Sequence, residues 1–287
     1  MTATALAAEF EVHRDRLFGI AYRMLGSAAE ADDVLQEAHL RWLAVDRAGV
    51  VEPRAYLVTV VTRLALDVLG SARVRRETYP GPWLPEPIAT APQVDGHDLS
   101  LLFLHVLERL SPAERAAFLL AEVFDYSHRE VAAILGKSEA ACRQLAARAR
   151  RQVKDGRPRA VDPDVHDRVL AAFVAACSAG DLAGLERLLA ADCVVLSDGG
   201  GRVAAATRVV RGAAAASRLL LGLARKGAGV LTPRPVRING APALALYAGA
   251  ALDTVLTCAV VDGHLAAVCL VRNPDKLRAV AVARTLA

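Results

Sequence analysis

"SHREVAAILGKSEAACRQLAARARRQVK", residues 127–154, carries two short helical patterns separated by a single glycine, and only the second is loaded with arginine. Ser127 with Glu130 forms a capping box that opens the first helix, whose apolar side is Val131, Ala132, Ile134 and Leu135. Gly136 can take the left-handed conformation that ends a helix, and Ser138 caps the next one after only Lys137. So short a turn makes the two helices cross at a large angle, the geometry of a helix-turn-helix. Cys142, Leu145 or Ala146, and Ala149 then face inward. Glu139, Arg143, Gln144, Ala147 and Arg148 face outward.

That outward set suits the major groove of DNA. Arg and Gln make bidentate bonds to base edges, and Arg150, Arg151 and Lys154 beyond them can neutralise phosphates. A merely solvated basic helix is the plainer reading, but the caps, the one-glycine turn and the one-sided charge agree on DNA. Between Lys137 and Arg159 eight basic residues face only Glu139 and Asp155, a local net of +6, although the whole chain carries +4. Glu30, Asp32, Asp33 and Glu37 form an acidic stretch with no basic residue inside it. The two ends of this charge distribution suit different partners.

Working outward, residues 6–76 read as three helices. Phe10, Leu17, Ala21 and Met24 recur at helical spacing until Gly26, and Ser27 with Glu30 caps a second helix bearing Val34, Leu35, Ala38, Trp42 and Leu43. Pro53 starts a third, with Leu57, Val61, Leu64 and Val68 as its core stripe and Tyr56, Thr59 and Arg63 on another face. Residues 77–98 hold five prolines and two glycines and form a semi-extended linker. Helical patterning resumes at Ser100 and restarts at the box Ser111 to Glu114, with Pro112 at the first helical position.

After Pro158 the pattern changes. Residues 165–193 read as a helix pair broken at Gly180-Asp181. Strand-like runs follow, with Asn239-Gly240 and Asp262-Gly263 as type I′ hairpin turns, and a helix at about Gly212 to Lys226 interrupts them. Helices on one face of a curved antiparallel sheet is the expected α+β arrangement.

Composition narrows the function classes. With 54% hydrophobic and 23% charged residues the 287-residue chain has material for packed cores, and two or three domains are expected. The apolar stretch from Ile238 to Leu252 is broken by Asn239, Gly240 and Pro242, too short to span a membrane. The N-terminal residues show no signal-peptide pattern, so a cytoplasmic location is expected. The five cysteines, Cys142, Cys177, Cys193, Cys258 and Cys269, have neither C-x-x-C spacing nor a histidine cluster beside them. They are expected to be buried free thiols, with no metal and no cofactor.

At this point the chain resembles the extracytoplasmic-function sigma factors of bacterial RNA polymerase. "AEADDVLQEAHLRWL" (29–43) is similar to their polymerase-clamp-binding helix, "EPRAYLVTVVTRLALDVL" (52–69) to their promoter-melting helix, and 111–153 to their minus-thirty-five-reading domain. "GPWLPEP" (81–87), "DGGG" (198–201) and "NPDKL" (273–277) resemble signatures of the subgroup with a fused SnoaL-like C-terminal domain. The resemblance implies a multidomain protein with two all-α modules and an α+β cone. These are a sigma-2 module at 1–76, a linker at 77–99, a sigma-4 helix-turn-helix at 100–157 and a SnoaL-like regulatory domain at 158–287. The implied partners are core RNA polymerase and promoter DNA, with room for a small-molecule ligand in the cone.

Site residues follow from the same resemblance. Asp33, Gln36, Glu37, Arg41 and Trp42 would meet polymerase. Arg54, Tyr56, Thr59 and Arg63, with Arg73, Arg75 and Arg76, would hold promoter bases and backbone near the minus-ten element. Gly70 stands where many relatives carry a basic residue, so charge along this helix is thinner. Lys137, Ser138, Glu139, Arg143, Gln144, Arg148, Arg150 and Arg151 would read the minus-thirty-five element. Trp83, Leu84, Pro85, Glu86 and Pro87 of the linker, with Asp198, Gly199 and Gly200 and with Asn273, Pro274, Asp275, Lys276 and Leu277, would form an interdomain regulatory surface through which the cone packs between or beside the two DNA-contacting domains and holds them in one relative orientation.

Two rival functions remain on the sequence alone. A SnoaL-like cone can house an isomerase or cyclase using Asp198, Asp253 or His264 in proton transfer, although fold does not carry function by itself. A dimeric helix-turn-helix regulator with a ligand-sensing domain would use the same reading helix, but leaves the acidic second helix and the proline linker unexplained.

Overall fold

The computed structural model describes residues 3–46, 49–89, 100–154 and 162–283. They fall into two compact units, one built from residues 1–78 and 106–155, the other from 79–105 and 156–287.

In the first unit, α1 (Ala3–Leu25), α2 (Ala28–Leu43) and α3 (Pro53–Glu77) form a three-helix module. Gly26 ends α1 at φ +69°, and the Ser27 hydroxyl accepts the Glu30 amide at 3.2 Å to start α2. Phe10, Leu17, Ile20, Met24, Leu35, Trp42 and Leu57 are buried together, and Trp42 Nε1 donates to Leu6 O at 2.8 Å. The Glu52 carboxylate caps α3 by accepting from the Arg54 and Ala55 amides. Three expected core positions differ. Leu43 is exposed, and on α3 the buried stripe shifts to Val58, Thr62, Ala65 and Leu69, leaving Leu64 and Val68 half-buried. Leu57 and Val61 stay buried, so the stripe is widened toward Val58 and Thr62, as α3 packs on α1, α2, α5 and α6.

The remainder of that unit comes from α4 (Leu101–Leu107), whose last residues belong to it, α5 (Pro112–Glu122), α6 (His128–Leu135) and α7 (Glu139–Lys154). Both capping boxes form, Ser111 with Glu114 and Ser127 with Glu130, and Gly136 ends α6 at φ +62°. Cys142, Leu145, Ala146, Ala149 and Val153 seat α7 on the core. This is the expected helix-turn-helix.

In the second unit, α8 (Pro163–Ala179), α9 (Leu182–Leu188) and α10 (Ala213–Gly227) cover one face of a six-stranded sheet, and α11 (Pro274–Ala283) lies on the other. The strands are β1 (Leu189–Asp198), β2 (Val210–Arg211), β3 (Leu231–Ile238), β4 (Ala241–Ala248), β5 (Ala251–Val261) and β6 (His264–Val271), in the order β2-β1-β6-β5-β4-β3. The sheet is mixed rather than wholly antiparallel: β6 lies beside β1 in parallel, after the chain has passed through β2, α10 and the β3–β5 meander. The second helix of the N-terminal pair ends at Leu188, so "LAADC" belongs to β1. Asn239 and Gly240, and Asp262 and Gly263, all have positive φ, as type I′ turns require. Pro233 and Pro235 sit on β3, an edge strand, where a missing amide costs no ladder bond.

Linker residues complete the sheet's second face. Leu84 is fully buried with Leu101, Leu196, Ile238, Val255, Val271, Leu277 and Val280. Burying one such leucine stabilises by about 1.5–3 kcal/mol.

Candidate functional site: a linker cradle and two nucleic-acid-facing helices

Asp198, at the end of β1, is fully buried, and its carboxylate is surrounded by donors. Oδ1 accepts from the Tyr79 hydroxyl at 2.6 Å and the Gly200 amide at 3.0 Å; Oδ2 accepts from the Leu84 amide at 2.9 Å and from Lys276 Nζ at 2.7 Å. Two of these four donors belong to the linker. A buried carboxylate without such partners costs several kcal/mol, so linker and cone satisfy one another.

Lys276 reaches this point from α11. Its ammonium also donates to Leu84 O, lies 4.0 Å from the centre of the Trp83 ring and 5.0 Å from that of Tyr79. Asn273 Nδ2 donates to the Tyr79 hydroxyl at 2.9 Å, and its Oδ1 caps α11 through the Asp275 amide at 3.1 Å. Burial, followed by the bond to Asp198, pushes the Tyr79 phenol well above its ordinary range, so it stays a donor. Glycine is needed where the linker crosses the 198–201 turn: a Cβ on Gly201 would stand 2.7 Å from Pro80 Cγ, and one on Gly200 2.4 Å from Asn273 Nδ2.

Further along, the Ile88 amide donates to Asn239 Oδ1 at 3.0 Å and the Asn239 amide returns to Ile88 O at 2.9 Å. His105 Nδ1 donates to Trp83 O at 3.0 Å. Trp83, Leu84, Asp198, Gly200, Asn273, Lys276 and Leu277 are therefore brought together, with Pro85, Glu86 and Pro87 buried beside them. Gly199 lies against Val203 within its own turn, and Pro274 opens α11. Asp275 instead pairs with Arg202 at 2.9 Å and Arg278 at 2.8 Å. Tyr79, Pro80, Ile88, His105 and Asn239 were missed. Only Asn239 carried a sequence signal, and it read as a turn.

On α2, Asp33, Gln36, Glu37 and Arg41 form an exposed stripe with Arg41 Nε paired to Glu37 at 2.8 Å. Leu40, 58% exposed among them, is an apolar surface residue that the sequence reading did not include. Trp42 is fully buried and offers no surface to a partner; its ring lies 5.8 Å from Tyr56 and supports α3 from inside.

Arg54 and Arg63 are exposed on α3, with Tyr56 and Thr59 half-buried between them. The Thr59 hydroxyl is turned back to Ala55 O at 2.8 Å. Arg73, Arg75 and Arg76 fall on the last turns of α3, and their side chains lie outside the described residues.

Lys137, Ser138, Glu139, Arg143, Gln144 and Arg151 are exposed, Ser138 Oγ accepts the Ala141 amide at 3.2 Å, and Arg143 pairs with Glu139 at 2.6 Å. Arg148 and Arg150 are tied back to α5, by Glu114 at 3.0 Å and by Glu122. Both remain exposed beside those ion pairs.

No acid–base site forms from the enzymatic alternative. Asp253 and His264 lie at opposite ends of the β5–β6 hairpin, where Val255 pairs with Val271 and Val261 with His264. Arg272 Nη2 donates to both Asp253 oxygens, at 3.0 and 3.2 Å. Burial pushes the Asp253 carboxyl up, but bonds from Thr254 and Arg272 outweigh it and hold it below the ordinary value. The buried His166 Nε2 lies 3.2 Å from Cys258 Sγ, and burial lowers the imidazole while raising that thiol to about 12, an unreactive pair. Among the described residues no group of three or more His, Cys, Asp or Glu is placed to hold a metal.

These helices and the reading turn define a sigma factor. The model of Sigma-70 region 2 matches residues 10–76 and that of Sigma-70 region 4 matches residues 100–153. The chain belongs to the extracytoplasmic-function RNA polymerase sigma factors. It is 40% identical to ECF RNA polymerase sigma factor SigJ of Mycobacterium tuberculosis (strain ATCC 25618 / H37Rv), over 93% of this chain and 92% of that protein. It is 34% identical to the probable ECF sigma factor SigI of the same organism, over 95% of this chain and 94% of that protein. The crystal structure of M. tuberculosis SigJ matches with a TM-score of 0.78 and 37% identity, over 95% of this chain and 98% of that chain. The protein therefore directs promoter-specific transcription initiation with core RNA polymerase and promoter DNA, and is itself not an enzyme. Among the described residues no helix is long and apolar enough to cross a membrane.

Proposed function

We propose that the C-terminal cone regulates initiation by capturing the chain that joins the two promoter-reading modules. The observation that carries this reading is the Asp198 carboxylate, which takes two of its four hydrogen bonds from the linker. Residues 79–105 released from the cone could stretch to about 90 Å, since an extended chain covers roughly 3.4 Å per residue. The minus-ten and minus-thirty-five elements lie about 25 base pairs apart, roughly 85 Å at 3.4 Å per base pair. Capture folds most of that tether onto one sheet face and so sets how far the modules can separate. A small molecule that bound the cone would act by preferring the linker-bound or the linker-free state.

In this reading, Asp33, Gln36, Glu37, Leu40 and Arg41 dock on polymerase. Arg54, Tyr56, Thr59 and Arg63 hold melted promoter bases, with Arg73, Arg75 and Arg76 along the backbone. Lys137, Ser138, Glu139, Arg143, Gln144 and Arg151 read the upstream duplex, while Arg148 and Arg150 mainly brace α7.

The test is run-off transcription on fragmented genomic DNA with core polymerase and mapped start sites. Asp198→Ala and Tyr79→Phe, each shown by limited proteolysis to free the linker, are expected to change output from the same start sites. Unchanged output from variants whose linker is demonstrably free would sink the regulatory role.

A further inference from the structure

One carboxylate stands on α7 in otherwise basic company: Glu139, against Arg143, Arg148, Arg150, Arg151 and Lys154. Glu139 is the first residue of the helix, yet the cap belongs to Ser138, whose Oγ accepts the Ala141 amide at 3.2 Å. Glu139 Oε1 accepts instead from Arg143 Nη1 at 2.6 Å, one turn on, and both side chains stay exposed. Arg148 and Arg150 are engaged by Glu114 and Glu122 of α5. Ala140 and Ala147 flank the ion pair with methyl groups, so α7 can sit deep in a groove. Of the outward residues Glu139, Ala140, Arg143, Gln144 and Ala147, three have the length to reach base edges. An acid in the first turn of a helix and an i,i+4 ion pair each stabilise slightly, but neither requires the acid to stand on the reading face. There it repels the phosphates that the neighbouring cations attract, a loss of affinity that a base-edge donor offsets.

We propose that Glu139 and Arg143 act as one unit that selects a single G·C base pair in the upstream element, the carboxylate taking the cytosine amino group and the guanidinium the guanine. The inference rests on the reading of α7 as the helix that enters the upstream duplex. Chemistry picks the base pair. An ionised carboxylate only accepts hydrogen bonds, which excludes guanine N7 and O6 and thymine O4 as its partners. Two amino donors remain. That of adenine lies between two acceptors, its own N7 and the thymine O4, and both repel a carboxylate; cytosine N4 has an acceptor on one side alone. That acceptor is guanine O6, which with N7 takes the two parallel N–H bonds of an arginine. The ion pair thus presents an acceptor beside donors, and a G·C pair answers with a donor beside acceptors. Four residues advance a helix by about 6 Å, but the 2.6 Å bond draws the two side-chain ends together, within reach of one base pair. Orientation is fixed as well, because reversing the base pair puts guanine acceptors against Glu139.

The experiment uses the full chain with core polymerase on a pooled template set. A promoter with a mapped start has every base pair of its upstream element replaced by the other three, and the RNA from each template is counted. The parent is expected to lose about tenfold or more when one G·C pair is reversed or replaced by A·T or T·A. Glu139→Gln, which keeps the length and removes the charge, should bring all four choices at that base pair within about threefold of one another and leave the other positions as in the parent. Arg143→Ala should relax the same base pair. Both substitutions touch an exposed ion pair, so the fold is retained, and a thermal melt verifies this. A uniform change across all templates in Glu139→Gln, or an unchanged profile, would overturn the proposal, as would relaxation of two different base pairs by the two variants. Relaxation by Arg143→Ala or Gln144→Ala beside an unchanged Glu139→Gln profile keeps α7 as the reading helix and removes the paired readout. Profiles identical to the parent in all three variants remove the reading helix itself.

Discussion

Lys276 donates to the buried Asp198 carboxylate at 2.7 Å while its ammonium covers the Trp83 ring at 4.0 Å, so one cation on α11 holds a strand end and a linker aromatic together. Replacing it leaves Asp198 without its counter-ion in a site with no access to water. Breaking a buried pair in this way costs about 3–5 kcal/mol where nothing relaxes. Here the linker can lift and admit water, so the observed loss in Lys276→Met should fall below that range. Hydrogen exchange at residues 79–89 is the measurement, and it should accelerate sharply in the variant.

Leu84→Ala removes side-chain volume from the fully buried cluster around Val255 and Val271. Large-to-small changes of this kind cost about 2–5 kcal/mol. The cost cannot exceed the free energy with which the linker docks, because detachment ends it. Cleavage of the linker by added protease should therefore rise steeply, while thermal unfolding of the cone shifts less than the cavity alone would suggest.

Two groups of arginines on α7 should separate under mutation. Arg143 and Gln144 are exposed on the reading face, and a lost bidentate base contact costs about 1–3 kcal/mol of discrimination, roughly 5- to 150-fold. Start-site mapping with Arg143→Ala or Gln144→Ala should show relaxed promoter choice. Arg148→Ala and Arg150→Ala remove exposed ion pairs to α5, worth about 0–1 kcal/mol, and should lower the melting temperature slightly while leaving promoter choice intact.

Acid should loosen the helix-turn-helix through its caps. The Ser111 hydroxyl holds the Glu114 carboxyl below its ordinary 4.5, and Ser127 does the same for Glu130. A depressed carboxylate stabilises the fold above its unfolded value and loses that effect as pH falls through the lower folded value. Acid unfolding followed by circular dichroism should thus begin below pH 4.5. Ser111→Ala and Ser127→Ala, each costing about 1 kcal/mol, should move the midpoint to higher pH.

Local chemistry made much of this fold readable. Capping boxes at Ser111 and Ser127, the αL glycines at 26 and 136, and the Asn-Gly and Asp-Gly turns act within a few residues, so sequence order alone displays them. The parallel pairing of β1 with β6 joins segments some seventy residues apart, and no local pattern announces it. The cradle was half legible for the same reason. Its motifs pointed to Asp198, Asn273 and Lys276, whereas Tyr79 and Asn239 gained their roles only when distant segments met. Trp42 misled because residue type suggests a role and the helix face decides it.

Gly201 offers the sharpest dissection of linker capture, because an added methyl does two separable things. At φ +69° any L side chain is strained by about 1–2 kcal/mol, and the new Cβ would stand 2.7 Å from Pro80 Cγ. Gly201→Ala should therefore lower cone stability and also expel the start of the linker. Pro80→Gly removes the opposing ring, so the double variant should regain linker protection in hydrogen exchange yet keep the loss in stability. A double-mutant cycle measures the difference, and a coupling near zero would mean that the linker does not lie on the 198–201 turn in solution.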